Sequence, residues 1–181
     1  MRITRLWSGA DADAGRHAEV RLQWTDSALL ARFSCNQAQP LVVNPQPQLN
    51  KKTLGLWDRD VCEVFLAPNL SDQQHYFEFE AAPTGEWVDV EISFSNGQMQ
   101  RNFDFASGMK TASLFSDDRL TIAIEIPWTK SIPMPREGES WGVNLFRCVG
   151  LGKERYLAWQ PTFSPEPNYH VPEAFGRLVF S

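Results

Sequence analysis

Apolar and polar residues alternate along most of this chain, which is the pattern of β-strands that bury one face. No stretch has a sustained helical period with caps at its ends. Turn-forming residues such as Thr25-Asp26-Ser27 and Ala82-Pro83-Thr84-Gly85-Glu86 separate the alternating segments. We predict strands over Ala18–Trp24, Leu29–Cys35, Val61–Ala67, Tyr76–Ala82, Val88–Phe94, Leu120–Pro127, Gly142–Val149, Arg155–Trp159 and Gly176–Phe180.

Many short strands with frequent turns are typical of two packed sheets. The sequence therefore predicts an all-β fold, a two-sheet antiparallel β-sandwich, in a single domain over residues 1–181. Two proline-rich segments, 37–54 and 161–172, are predicted to be long loops. Loops of this length in a compact domain usually carry function or are disordered.

The composition is that of a folded globular protein, with 43% hydrophobic and 22% charged residues among 181. A chain of this size can bury a core without a disulfide or metal. Cys35, Cys62 and Cys148 have no zinc-site spacing, so we expect them to be buried and apolar in character. Seven Trp and twelve Phe are a surplus, and aromatic faces are surfaces on which sugars stack.

The charge pattern argues against several partners. The net charge is −5 and Lys and Arg do not cluster, which disfavours nucleic acid. No apolar run approaches the roughly 20 residues of a membrane span. The segment Met1–Ser8 has basic residues with no apolar stretch behind it, so it does not have the pattern of a signal peptide. A cytoplasmic protein and a protein whose leader has been removed both stay open.

Catalytic motifs are missing from the sequence. There is no Gly-x-Ser-x-Gly elbow and no glycine-rich nucleotide loop that leads into a helix. His17, His75 and His170 are far apart and lack the spacing of a metal site. We therefore predict no catalytic residue, no metal ligand and no enzymatic activity.

Glu63 lies in a strand that is apolar on both faces, Val61–Leu66. A carboxylate there must find a partner or an opening to water. One interpretation is an internal ion pair with Arg147, which lies in a similar apolar strand. The other is that Glu63 lines a pocket and accepts hydrogen bonds from sugar hydroxyls.

Trp57 and Trp159 occupy similar places, each at the junction of a strand and a long loop. Sugars present C–H faces to aromatic rings and hydroxyls to carboxylates, amides and guanidinium groups. Two such tryptophans with nearby polar side chains would supply the parts of a sugar site. Asn144 and Arg147 are three residues apart, so a regular strand points them to opposite faces.

A second group of acidic residues alternates with apolar ones around the predicted hairpin. Glu78 and Glu80 share one face of their strand, and we expect Asp89 and Glu91 to face the same side from the next strand. A calcium ion would relieve the repulsion between opposed carboxylates. A solvated face, screened by nearby lysines and arginines, is the simpler expectation.

The order of several short motifs resembles the family 9 carbohydrate-binding modules. The first half contributes Trp57-x-x-Asp60-x-x-Glu63-Val64-Phe65-Leu66, Tyr76-Phe77-Glu78-Phe79-Glu80 and the Pro83-Thr84-Gly85 turn. The second half contributes Trp141-Gly142-Val143-Asn144-Leu145-Phe146-Arg147, then Trp159, then His170–Gly176. The similarity runs from about Leu22 to Phe180, nearly the whole chain.

This resemblance implies a DOMON-like sandwich that binds a saccharide without cleaving it, commonly at a chain end, between two tryptophan rings. It implies Trp57 and Trp159 as the rings and Glu63 as a hydroxyl acceptor. The other site residues expected from it are Glu80, Asn144, Arg147 and Gln160. Family members that bind sugar tend to carry Arg and Asn where this chain has Glu80 and Ala82.

Some members of this family hold a structural calcium ion, and the resemblance implies no other cofactor and an extracellular or periplasmic setting. Two alternatives stay open. One is a haem-binding electron-transfer domain, since DOMON-like sandwiches include cytochromes and this chain offers Met99, Met109, His75 and His170. The other is a protein-interaction domain that uses the two long loops and binds no small ligand.

Overall fold

The computed structural model describes residues 1–117 and 119–181. This part of the chain forms thirteen strands and four short 3₁₀ helices. The strands are β1 (Arg2–Ile3), β2 (Arg5–Leu6), β3 (Ala18–Trp24), β4 (Ala28–Asn36), β5 (Val61–Ala67), β6 (Tyr76–Ala81), β7 (Trp87–Ser95), β8 (Gln98–Asn102), β9 (Lys110–Ser116), β10 (Arg119–Pro127), β11 (Ser140–Cys148), β12 (Tyr156–Ala158) and β13 (Gly176–Val179). The helices span Ala14–Arg16, Leu56–Asp58, Lys153–Arg155 and Pro172–Ala174.

The strands form two antiparallel sheets. The smaller sheet has the order β1-β3-β4-β10-β9. The larger sheet has the order β2-β12-β11-β5-β6-β7-β8, and β13 pairs with the first half of β11 while β12 pairs with its second half. This confirms the predicted all-β fold with two antiparallel sheets.

The main core fills the space between the sheets. Alternation places Cys62, Val64 and Leu66 of β5 on its inner face, and these pack with inward residues of the other strands. The largest of those partners are Phe33, Phe77, Phe79, Trp141, Leu145 and Phe180. Burial of these apolar side chains is the principal stabilising term of the sandwich.

A second apolar cluster lies on the outer face of the larger sheet. It contains Val61 and Phe65 of β5, whose side chains alternate with those of the main core. Trp7, Leu56 and Tyr169 pack onto this face from loops and a 3₁₀ helix. Because both faces of β5 and β6 are covered, these strands read as nearly continuous buried runs.

The strands that sequence reasoning did not predict are β1, β2, β8 and β9. β1 and β2 have only two residues each, too few for a period to appear. β8 is polar and β9 is mostly exposed, so neither has an alternating pattern of burial. Edge strands of this kind are held by pairing with a neighbour more than by burial.

The prediction that Asp89 and Glu91 share a face with Glu78 and Glu80 is wrong. Glu78 pairs with Val90 and Glu80 with Val88, whereas Asp89 pairs with Phe79. Asp89 therefore points between the sheets, where its Oδ1 lies 2.6 Å from Lys52 Nζ and its Oδ2 accepts from the Ser107 amide at 2.6 Å.

Nor is the face solvated, since Glu78 and Glu80 are buried on the outer side, where the covering loops exclude solvent. None of the helices in the described residues is long or apolar enough to cross a membrane.

Candidate functional site

A cavity of about 790 Å³ opens on the outer face of the larger sheet. Its floor includes Glu63 and Phe65 of β5 and Glu78 of β6. Its walls include Leu54 and Gly55, at the end of the first proline-rich loop, and residues 167–170 of the second. Residues in or next to both long loops therefore line this cavity.

Several aromatic rings surround this cavity. Trp57 is the most accessible of them, with 38% of its surface exposed, on the 3₁₀ helix that begins after Gly55. Gly55 has a φ of 76°, a left-handed conformation that favours glycine and turns the chain into this helix. The other aromatic lining residues are Phe65, Phe103, Tyr156, Tyr169 and His170. Such rings offer flat apolar faces to a ligand.

Tyr156 lies on β12 and is half-buried. The Arg155 guanidinium lies 5.2 Å from the centre of its ring, and the ring meets Tyr169 edge-on. Tyr169 in turn stacks on Phe146 at 3.9 Å and donates its hydroxyl to the Leu157 carbonyl. These contacts hold the Tyr156 ring in one orientation at the cavity wall.

His170 joins the loop 161–172 to the floor. Its Nδ1 shares a hydrogen bond of 2.8 Å with the Tyr76 hydroxyl, and its ring packs against Phe65 at 5.3 Å. Burial, with a smaller effect of the Arg101 charge, lowers the pKa of His170 to about 4. His170 is therefore a neutral imidazole at neutral pH.

Glu63 and Glu78 form the polar part of the floor, and Glu80 lies beside them, so that three buried glutamates form one group. Glu63 lies directly opposite Glu80 in the register of β5 and β6. One carboxylate oxygen from each of the three lies within 4.8 Å of the others. Sequence reasoning named Glu63 and Glu80 as site residues, and the register adds Glu78 to them.

The pKa of each glutamate is raised, first because burial disfavours the charged form. Repulsion from neighbouring carboxylates adds to this for Glu63 and Glu80, whereas the contact with Glu80 and the Arg101 charge partly offset it for Glu78. The pKa values of Glu63 and Glu80 are raised well above the ordinary range. Glu63 Oε1 accepts from the Cys148 thiol at 3.6 Å. Neither carboxylate oxygen of Glu80 has a hydrogen-bond partner among residues 1–117 and 119–181.

The expected ion pair between Arg147 and Glu63 is wrong. Arg147 pairs with Cys62 in the sheet register, so its side chain points between the sheets while that of Glu63 points outward. There it donates to backbone carbonyls and to Gln37 Oε1. Arg147 is 1% exposed and does not line the cavity.

Trp159 also lies away from the cavity. It packs against the core between the sheets and lies against Gly176, where an added Cβ would be 2.4 Å from its ring. The physical reason is the strand period, because Tyr156 and Trp159 are an odd number of residues apart. The structure thus brings Trp57 together with Tyr156 and not with Trp159.

Asn144 and Gln160 contact each other outside the cavity. Asn144 Nδ2 donates to the Gln160 carbonyl at 2.9 Å, and Asn144 Oδ1 accepts from the Gln160 amide at 3.1 Å. These bonds use the Asn144 side chain to fix the chain after β12. Neither residue is among those that line the cavity in the described part of the chain.

The residues considered for haem ligation are dispersed. His170 lines the cavity, whereas His75 pairs with Glu91 at 2.9 Å. Met109 is buried in the core between the sheets, and Met99 packs on the outer face.

Comparison with known proteins identifies the fold and the family. The family described as "Carbohydrate family 9 binding domain-like" matches residues 1–181. The chain belongs to this family. None of the curated proteins matches the chain.

Three solved structures share the fold. One is a protein from Bacteroides uniformis proposed to bind carbohydrate, with 19% identity, a TM-score of 0.69, and coverage of 93% of this chain and 81% of that one. A family 9 carbohydrate-binding module from Caldicellulosiruptor kristjanssonii in complex with glucose has 16% identity, a TM-score of 0.61, and coverage of 99% and 82%. The cellotriose complex has 16% identity, a TM-score of 0.63, and coverage of 98% and 80%.

Proposed function

We propose that this chain binds a saccharide in the cavity on the outer face of the larger sheet and does not cleave it. Membership of the family 9 carbohydrate-binding domain-like family supports the ligand class. Two structural neighbours hold glucose and cellotriose, which makes these sugars the first ligands to test.

The observation that carries the proposal is an accessible aromatic ring beside buried hydrogen-bond acceptors in one cavity. Trp57 offers a partly exposed face, and Glu63 and Glu78 line the same cavity. A sugar ring that stacks on Trp57 directs its hydroxyls along the ring edge, where carboxylate oxygens accept hydrogen bonds. Enclosure of the cavity strengthens those bonds by excluding water.

Tyr156 takes the part that the sequence suggested for Trp159. Its half-buried ring lines the cavity and is held by Arg155 and Tyr169. We propose Trp57 and Tyr156 as the stacking residues and Glu63 and Glu78 as hydroxyl acceptors. The cavity volume of about 790 Å³ is within the range of small-molecule sites and accommodates a mono- or disaccharide.

Titration calorimetry with glucose, cellobiose and cellotriose tests this proposal. Trp57→Ala is expected to weaken binding roughly 10- to 100-fold, because losing the buried face of an aromatic side chain costs about 1.5–3 kcal/mol. Phe115→Ala is the matched control, since Phe115 is an exposed aromatic on β9 of the other sheet. Sugar affinity that is the same in Trp57→Ala and wild type would contradict the proposed site.

Absence of cleavage is measured on the same samples. Chromatography of cellotriose after long incubation is expected to show the intact trisaccharide. Release of glucose or cellobiose that Phe115→Ala retains and Glu63→Gln abolishes would reclassify the protein as a hydrolase. A glycan array without any bound saccharide would reject sugar binding itself.

A further inference from the structure

Three buried carboxyl groups without a salt-bridge partner lie together at the floor of the cavity. Glu63, Glu78 and Glu80 are 2%, 4% and 0% exposed. No salt bridge reaches any of them within residues 1–117 and 119–181. Arg101 lines the same cavity but forms no salt bridge with them in the described structure, and Arg155 donates to the Arg59 carbonyl.

Two features make this arrangement costly for the protein alone. Like charges directly opposite one another on a sheet are destabilising, and Glu63 faces Glu80 across β5 and β6. Buried polar atoms in native proteins nearly always have a partner, and both Glu80 oxygens lack one in the described structure. The unpartnered carboxylate is directed at the other two, since its oxygen lies within 4.8 Å of theirs.

A bare cation satisfies this geometry better than a larger ligand does. Glu63 and Glu78 line the cavity, but Glu80 does not. A hydroxyl attached to a sugar ring in the cavity therefore meets Glu63 and Glu78 first. Because one carboxylate oxygen from each glutamate lies within 4.8 Å of the others, a single small ion can contact all three.

The ligand set selects the kind of ion. Three carboxylates are hard oxygen donors, which suit Ca²⁺, Mg²⁺ and Mn²⁺. Ca²⁺ binds oxygen at about 2.3–2.6 Å, so two of its ligands can be up to about 5 Å apart. The spacing within 4.8 Å lies inside that limit. Mg²⁺ requires near-ideal octahedral geometry with oxygens at about 2.0–2.1 Å, so two of its ligands are at most about 4.2 Å apart.

We propose that Glu63, Glu78 and Glu80 bind a divalent cation, Ca²⁺ in preference to Mg²⁺, at the floor of the cavity. Ca²⁺ accepts six to eight oxygen ligands, so positions on its cavity side stay open for hydroxyl groups. Resting on the sugar-binding function proposed above, we further infer that two neighbouring sugar hydroxyls coordinate the ion. The cation would thus supply the direct positive partner that none of the three carboxylates has in the described structure.

The first experiment measures the cation without any sugar. Chelator-treated protein is melted with and without CaCl₂, and the same titration is followed by calorimetry. At 100-fold excess over Kd, Ca²⁺ is expected to raise Tm by about 5–10 °C, and an equal concentration of MgCl₂ to raise it less. No rise in Tm at 10 mM CaCl₂ would overturn the site.

Glu80→Gln distinguishes a specific site from general stabilisation by salt. In chelator, this variant is expected to melt at or above the wild-type temperature, because it removes a buried carboxyl group that has no partner, and to lose the response to Ca²⁺. Glu137→Gln, at an exposed position, is the matched control and should keep the full response. Equal Ca²⁺ responses in Glu80→Gln and Glu137→Gln would overturn the assignment.

The second experiment adds the sugar. If hydroxyls coordinate the ion, chelator is expected to weaken saccharide binding at least tenfold and Ca²⁺ to restore it. Saccharide affinity that is unchanged by chelator would overturn this coordination. If no saccharide binds in either condition while Ca²⁺ still raises Tm, the cation site is supported and the proposed sugar-binding function fails.

Discussion

Replacing Arg147 by Met tests whether this residue is structural or a ligand contact. The Arg147 guanidinium donates to the carbonyls of Arg16, His17 and Asn36 at 2.7, 3.0 and 2.8 Å, and to Gln37 Oε1 at 2.6 Å. The side chain links β11 of the larger sheet to residues just before β3 and at the end of β4 in the smaller sheet. Methionine keeps most of the length but leaves four acceptors without their donor.

Each unsatisfied buried acceptor costs about 1–3 kcal/mol before relaxation. His17 O also accepts from the Asn36 amide, and Arg16 and His17 are only half-buried, so water can compensate part of the loss. We therefore expect Arg147→Met to lower the free energy of unfolding by about 3–5 kcal/mol. For a chain of this length that corresponds to a fall in Tm of roughly 6–20 °C.

Urea unfolding measures this cost. Arg32→Met is the matched control, since Arg32 is exposed on β4 and its loss is expected to change stability by less than about 0.5 kcal/mol. The folded fraction of Arg147→Met should bind saccharide with wild-type affinity, because Arg147 and the cavity lie on opposite faces of β11. A loss below about 1 kcal/mol, or a weakened sugar affinity in folded protein, would refute this account of Arg147.

Two further predictions concern His170 and Gly176. The folded pKa of His170, lowered to about 4, means that stability from the neutral ring is present above pH 6.5 and is lost as pH falls towards 4. Between pH 7 and pH 4.5 the unfolding free energy of wild type should fall by about 2 kcal/mol more than that of His170→Gln. Urea titrations at both pH values measure the two falls. Equal falls would contradict the burial of His170. Gly176→Ala places a Cβ 2.4 Å from the Trp159 ring and is expected to cost about 1–3 kcal/mol in the same titration, whereas a neutral effect would show that Trp159 is free to move.

Much of the fold follows from local sequence patterns. Two-residue alternation in segments such as Val61–Ala67 predicted strands whose bounds agree closely with the structure. The same alternation determines which neighbours share a face, so Glu63 and Phe65 are opposite to Val64 and Leu66. It also predicted that Asn144 and Arg147 point to opposite faces of a regular strand, although both were named as site residues. These properties are local because side-chain direction along a strand depends only on the backbone.

The partners of those residues are decided by tertiary structure. Glu63 meets Glu80 because of the register between β5 and β6, and a shift of one residue would have placed a different side chain opposite it. Arg147 donates to backbone carbonyls in and beside the smaller sheet, and no pattern within β11 could indicate these partners.

The sequence by itself determined that Trp57 and Trp159 flank strands near long loops, and that an acidic residue lies in an apolar strand. Only the folded chain decided that Tyr156, and not Trp159, reaches the cavity with Trp57. The reason is that loops cover the outer face of the larger sheet, so apolar residues lie on both faces of its strands. Hydropathy along the sequence therefore cannot tell a residue of the core from a residue of the cavity. The three glutamates come together for a different reason, which is that strand pairing joins side chains that are distant along the chain.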